Sequence, residues 1–249
     1  MTEQPRRWDV IGELAELLPS PSEEWDARYR RLMKDEYLHN KYNRAARLAE
    51  KQDYIRRYCP ELIECNSPHL VVDVGCAMGE FLEICRYKGW AVMGVDASTG
   101  FGGMGDEYLT LSRMLTARQR IEAHYVGLDG YLRIAKSIHH GRKAGFINFQ
   151  GSFAQCFHEF LDGPHHHEEH CASAQHWRFC NELFAKWREC FSVLRSVAAP
   201  AGRLLIVANR TGNRPEWGEY KRHIEREAKA AGWKLIHAEQ TWIHKWERV

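Results

Sequence analysis

From about residue 70 onward the apolar positions alternate between two periods. Short β-branched or continuous apolar runs at 70–74, 91–95, 122–128, 145–149 and 203–208 predict strands. Between them, over 79–88, 108–120, 131–139 and 215–231, apolar residues recur every three or four positions, which predicts helices. A further helix beginning near His176 sets Trp177, Cys180, Phe184, Trp187, Phe191 and Leu194 at steps of three and four, a stripe that must lie on a sheet. Pro200-Ala201-Gly202 turns the chain into the fifth strand, and 233–239 and 241–248 read as two strands close enough to pair antiparallel. Alternating strands and helices argue for an α/β fold with a mostly parallel sheet, helices on both faces and a C-terminal antiparallel hairpin. The first 67 residues differ, being polar and helical, with a break at Pro19-Ser20-Pro21-Ser22 and a stripe of Tyr42, Ala45, Leu48, Ala49 and Ile55. The expected organisation is a helical N-terminal cap over 1–67 and an α/β domain over 68–249.

The first predicted strand leads into Val71-Val72-Asp73-Val74-Gly75-Cys76-Ala77-Met78-Gly79-Glu80-Phe81, and the second ends in Gly94-Val95-Asp96. A strand, a glycine loop, a helix and an acid about 20 residues on have the spacing of a nucleoside-binding βαβ unit. A dinucleotide fold presents G-x-G-x-x-G so that the backbone can approach a pyrophosphate at a helix N-terminus. Here position 77 is Ala, and Glu80 puts a carboxylate where phosphates would dock. Two acids and two glycines suit a ligand with a cationic centre and no phosphate. The segment resembles motif I of the class I S-adenosylmethionine-dependent methyltransferases, and Asp96 resembles the acid that ends their second strand and holds the ribose hydroxyls.

That resemblance covers about 68–249 and implies a seven-stranded sheet ending in a hairpin, with S-adenosyl-L-methionine as cofactor and S-adenosyl-L-homocysteine as product. Ligands in such sheets lie beyond the carboxyl ends of the strands. The expected cofactor contacts are therefore Asp73, Gly75, Cys76, Gly79, Glu80 and Phe81 after the first strand, and Asp96 and Ala97 after the second. Asp129, in Gly127-Leu128-Asp129-Gly130, resembles the acid that accepts from the adenine amine, with Leu128 against the adenine face; Asp-Gly is also a common turn. Gln150 and Gly151 follow the fourth strand; Gly151 lets the chain approach a ligand, and Gln150 is expected to hold either the substrate or the sulfonium side of the cofactor. They depart from the Asn/Asp-Pro-Pro-Tyr signature of enzymes that methylate nucleobase and glutamine amino groups.

Composition narrows the picture a little. With 249 residues, 44% hydrophobic and 27% charged, the chain has enough apolar sequence for one sizeable core. A net charge of +2 gives no nucleic-acid footprint. No apolar run approaches a membrane span, no signal-peptide h-region opens the sequence, and the eight Cys show no framework spacing, so a reduced, cytoplasmic protein is expected. Six of the fourteen His fall between His158 and His176. One of His165, His166, His167 or His170 is the expected catalytic base toward an acceptor hydroxyl. A divalent metal is an alternative, although His167-Glu168-Glu169-His170 is not H-E-x-x-H, and a solvated loop is another. The expected function is methyl transfer to a hydroxyl or amine of a small organic acceptor such as a sugar or natural product. An RNA or protein methyltransferase, a nicotinamide-dependent oxidoreductase and a non-catalytic nucleoside-binding module are the rivals. The sequence leaves O- versus N-transfer, the acceptor and the oligomeric state open.

Overall fold

The structure, a computed structural model, describes residues 44–64, 70–96, 105–151, 181–208, 215–239 and 243–249. Helices α1 (Arg44–Tyr58) and α2 (Glu61–Glu64) lead into β1 (Val71–Val74), α3 (Glu80–Tyr87), β2 (Val92–Asp96), α4 (Gly105–Arg118), β3 (Glu122–Tyr125) and α5 (Gly127–Ile138). The chain continues through β4 (Ala144–Gly151), α6 (Asn181–Val197), β5 (Ala198–Ala208), α7 (Pro215–Ala230), β6 (Trp233–Glu239) and β7 (Ile243–Arg248). The strands form one sheet in the order β3-β2-β1-β4-β5-β7-β6, parallel from β3 through β5, with β7 antiparallel to both β5 and β6. This is the expected fold class. The order reverses between β1 and β4, so the crevice at their carboxyl ends is the natural ligand site of the sheet.

Two-residue alternation divides the core. Leu70, Val72 and Val74 project to the face covered by α5, α6 and α7, where Trp187, Phe191, Leu194, Trp233 and Trp246 are buried with them. Trp187 stacks on Phe191 at 5.5 Å, and the Trp233 indole donates to the Phe191 carbonyl at 3.0 Å. Val71, Phe146 and Leu205 project to the opposite face, where they meet Phe81, Leu82 and Ile84 of α3 and Leu48 and Ile55 of α1. On α1 the buried positions are Leu48, Gln52 and Ile55, continued by Cys59, so the helix lays one stripe on the sheet domain. Lys245 of β7 donates to Glu61 of α2 at 2.7 Å and holds this end of the segment to the hairpin.

Three boundaries differ from the sequence reading. The fourth strand continues through Gln150 and Gly151, which pair with Val207 and Ala208. The turn at Pro200-Ala201-Gly202 lies inside β5, between Ala198 and Arg203, with Ala201 at φ 56. The third strand stops at Tyr125 instead of 128, because Leu128, Tyr131, Leu132 and Ala135 share a helical stripe that is buried on the α6 side. The glycine-rich stretch 100–104, residues 1–43 and the whole histidine segment from His158 to His176 lie outside the described residues. No helix among the described residues is long and apolar enough to cross a membrane.

Trp187 is fully buried among aromatic neighbours, and Trp187→Ala should cost about 3 to 5 kcal/mol, the range for deleting a large core aromatic. Urea unfolding measures this; a loss below about 1 kcal/mol would contradict the packing described.

Candidate active site

The loop between β1 and α3 is shaped by its own backbone. Gly75 and Gly79 have φ of 88 and 83, and Ala77 between them sits at φ 49. Gly79 is required twice over. Its left-handed conformation disfavours a side chain, and a Cβ there would lie 2.9 Å from Gln119 Oε1 and 3.1 Å from both Ile121 Cδ1 and Thr116 Cγ2. The amides of Gly75 and Cys76 both donate to the Val95 carbonyl, at 2.8 and 3.1 Å, and the Ala77 amide donates to Asp96 Oδ2 at 2.5 Å. The loop is thereby pinned to the end of β2. Asp96 is the acid that orients it.

Asp73 is the centre of a buried polar row on the α1 face. It pairs in register with Gly94 of β2 and Asn148 of β4, and it is only 2% exposed. The Asn148 amide, fully buried, donates from Nδ2 to Asp73 Oδ1 at 2.8 Å, and its Oδ1 accepts from the Tyr54 hydroxyl of α1 at 2.7 Å. Burial is the main influence on Asp73 and raises its pKa to about 7; Lys51 and the Asn148 bond pull it down, and Asp96 and Glu80 push it up. Glu80 opens α3, is 4% exposed and lies 3.6 Å from Arg47 of α1. Three carboxylates thus converge at the ends of β1 and β2, faced by Arg47 and Lys51 from α1.

This arrangement can hold a cation against carboxylates and a diol against Asp96. It repels a pyrophosphate, since the α3 N-terminus that would receive one carries Glu80. The other expected residues have different surroundings. The Cys76 thiol is buried, its Sγ 2.7 Å from where a Cβ on Gly94 would lie, and burial raises its pKa well above the ordinary thiol value. Phe81 is a core residue, with Tyr54 edge-on to it at 6.1 Å. Gln150 and Gly151 end β4, at the carboxyl edge of the sheet.

Leu128 and Asp129 come just after β3, which ends at Tyr125, but inside the first turn of α5 and not at the end of a longer strand. Gly127 at φ 68 starts α5, Leu128 is buried in the core, and Asp129 stands in the first helical turn. An acid there suits the helix dipole, and its carboxylate meets Arg133 at 2.9 Å and Lys186 of α6 at 3.4 Å. Ala97, His165, His166, His167 and His170 lie outside the described residues. No group of three metal-ligating side chains converges among the described residues.

Sequence reasoning missed Tyr54, Lys51, Asn148 and Gln119. Asn148 had a signal: it is a polar residue inside the apolar run Phe146-Ile147-Asn148-Phe149, on a strand flanked by strands on both sides. Tyr54 and Lys51 had none, because nothing local ties α1 to β1.

This chain is similar to a number of solved structures, each at low identity. One is DesVI from Streptomyces venezuelae, 13% identical over 81% of this chain and 92% of that one, with a TM-score of 0.48. A second is magnesium protoporphyrin IX methyltransferase from Synechocystis PCC 6803 with bound SAM, 13% identical over 97% and 98% of the two chains, at 0.45. A third is an O-methyltransferase from Bacillus cereus in complex with SAH, 10% identical over 96% and 97%, at 0.46. The strand order of this chain, with its reversal at β1/β4 and the antiparallel β7, is the seven-stranded sheet ending in a hairpin that the resemblance in the sequence implies. No protein-family model matches the sequence, and no curated protein matches it.

The pKa of Asp73 has a measurable consequence for the unliganded protein. A carboxyl raised from 3.8 to about 7 on folding contributes stability that is full below about pH 4 and is lost as pH rises through about 7. His139, which burial lowers to about 4, has the opposite sense over the same range, so the comparison must be with a neutral isostere at position 73. The unfolding free energy of Asp73→Asn relative to wild type should rise between about pH 4 and 7, by at most about 1.4 kcal/mol per unit, and level off above. A pH-independent difference would contradict a carboxyl raised to about 7 in the folded protein.

Proposed function

We propose that the chain is an S-adenosylmethionine-dependent methyltransferase that transfers a methyl group to a hydroxyl or amine of a small organic acceptor. The observation that carries the reading is the convergence of Asp73, Glu80 and Asp96 around a glycine loop at the β1/β4 reversal. Carboxylates there match a sulfonium and an ammonium, and Asp96 matches a ribose diol. The residues present fit this cofactor. Asp73 and the loop from Gly75 to Gly79 would hold its amino-acid end, Asp96 its ribose, and Gln150 with Gly151 the edge nearest the methyl group. When bound, the cofactor supplies an electrophilic methyl carbon for in-line attack. The chain's part is to orient it, to exclude phosphate-bearing competitors through Glu80, and to remove a proton where the acceptor is a neutral hydroxyl. For that proton the proposal keeps one of His165, His166, His167 or His170, and it keeps residues preceding α1 as the cover of the acceptor. A small acceptor is favoured by the near-zero net charge and by the concentration of Trp in the second half of the chain, six of the nine.

Calorimetry against S-adenosylhomocysteine and NAD tests the reading. Binding of the former and not the latter is expected, with Asp96→Ala weakening it by roughly 1.5 to 3 kcal/mol, the scale of hydrogen bonds to a charged group. Tight NAD binding without affinity for S-adenosylhomocysteine would overturn it.

A further inference from the structure

Helix α1 reaches into the cofactor site with a connection that no local pattern announces. Tyr54 donates to Asn148 Oδ1, and Asn148 donates to Asp73 Oδ1, at 2.7 and 2.8 Å, so a hydroxyl on the N-terminal segment is linked through one buried amide to the acid that ends the first strand. An amide has one accepting and one donating end. With the Tyr54 hydroxyl donating to its oxygen, Asn148 presents its NH2 to Asp73, the orientation that favours the ionised carboxylate. Turned over, the amide would aim its oxygen at Asp73 and favour the protonated acid.

We infer that Tyr54 is a positioning residue for cofactor binding: by donating to the Asn148 amide oxygen it favours the carboxylate form of Asp73 and aims that group to receive a cation. The inference rests on the cofactor reading above and adds to it a role for α1 that is separate from covering the acceptor. The surroundings of Asp73 show why such a device is needed. Around it stand Lys51 of α1, Asp96 of β2 and Glu80 of α3, with the buried thiols of Cys59, Cys76 and Cys85 also within electrostatic reach. Burial and two neighbouring acids favour protonation; Lys51 and the Asn148 bond are what oppose it. The Tyr54 ring is independently anchored, tilted against Tyr58 at 5.4 Å and edge-on to Phe81 at 6.1 Å, so removing the hydroxyl leaves its packing in place.

The test uses the full-length chain and Tyr54→Phe. S-adenosylhomocysteine is titrated across about pH 6 to 8, and the Asp73 carboxyl is followed by carbon NMR in the unliganded protein. Wild-type affinity should increase with pH and level off above the Asp73 midpoint. In Tyr54→Phe the affinity at neutral pH should fall about three- to tenfold, the scale of one lost hydrogen bond, and both the binding and the carboxyl midpoints should move upward. Lys51→Met should move the carboxyl midpoint in the same direction. An unchanged midpoint in Tyr54→Phe, whether or not affinity falls, would overturn the inference, since a purely structural hydroxyl would leave Asp73 alone. If the wild-type protein binds no S-adenosylhomocysteine, the cofactor reading fails, and with it the binding role of Tyr54. The carboxyl titration then still shows whether Tyr54 controls Asp73.

Discussion

A carboxyl group buried between two strands has to be held by something, and in this protein that requirement organises the neighbourhood of the sheet reversal. Asp73 lies on a strand with both faces covered, on the same sheet face as the apolar Val71, Phe146 and Leu205. Left unpartnered, such a group would cost several kcal/mol. Asn148 on the adjacent strand satisfies one oxygen, Tyr54 on α1 satisfies Asn148, and Lys51 on the same helix supplies the nearest opposing charge. The polar row is therefore not an accident of strand alternation. It draws the N-terminal segment onto the domain at the point where a ligand would sit.

The loop above that row is constrained from the other side. Its amides bond to Val95 and Asp96, and Gly79 is packed so closely against Thr116, Gln119 and Ile121 that the end of α4 and the start of β3 determine where α3 begins. The cradle is thus set by contacts from β2, α4 and β3 as well as by its own glycines. Glu80 stands at the α3 N-terminus, where a carboxylate disfavours the docking of a phosphate.

Much of this was legible in the sequence because it is local. The strand ends at Val74 and Asp96, the glycines and Glu80 are consecutive or nearly so, and steric rules tie each to a conformation. The Trp187, Phe191 and Leu194 stripe was legible because a helical period that apolar must be buried. The end of β3 was misread because Gly-Leu-Asp-Gly has the composition of a turn after a strand. Leu128 instead follows the helical stripe of Tyr131, Leu132 and Ala135, and tertiary burial decided between the two periods. Tyr54 and Lys51 were invisible for a different reason: their partners lie on strands far along the chain, and no spacing rule connects a polar helix to Asp73.

The central claim is that a buried Asp73, about half protonated near pH 7 in the free protein, becomes the fully ionised counter-charge of a cationic ligand. Ionising it on binding must release a proton. The most direct measurement is the calorimetric enthalpy of S-adenosylhomocysteine binding at pH near 7 in buffers of different ionisation enthalpy, which counts protons exchanged. About half a proton should be released per ligand bound, with the release lost in Asp73→Asn. Binding with no proton exchange in the wild-type protein, or with the same release in Asp73→Asn, would contradict the account.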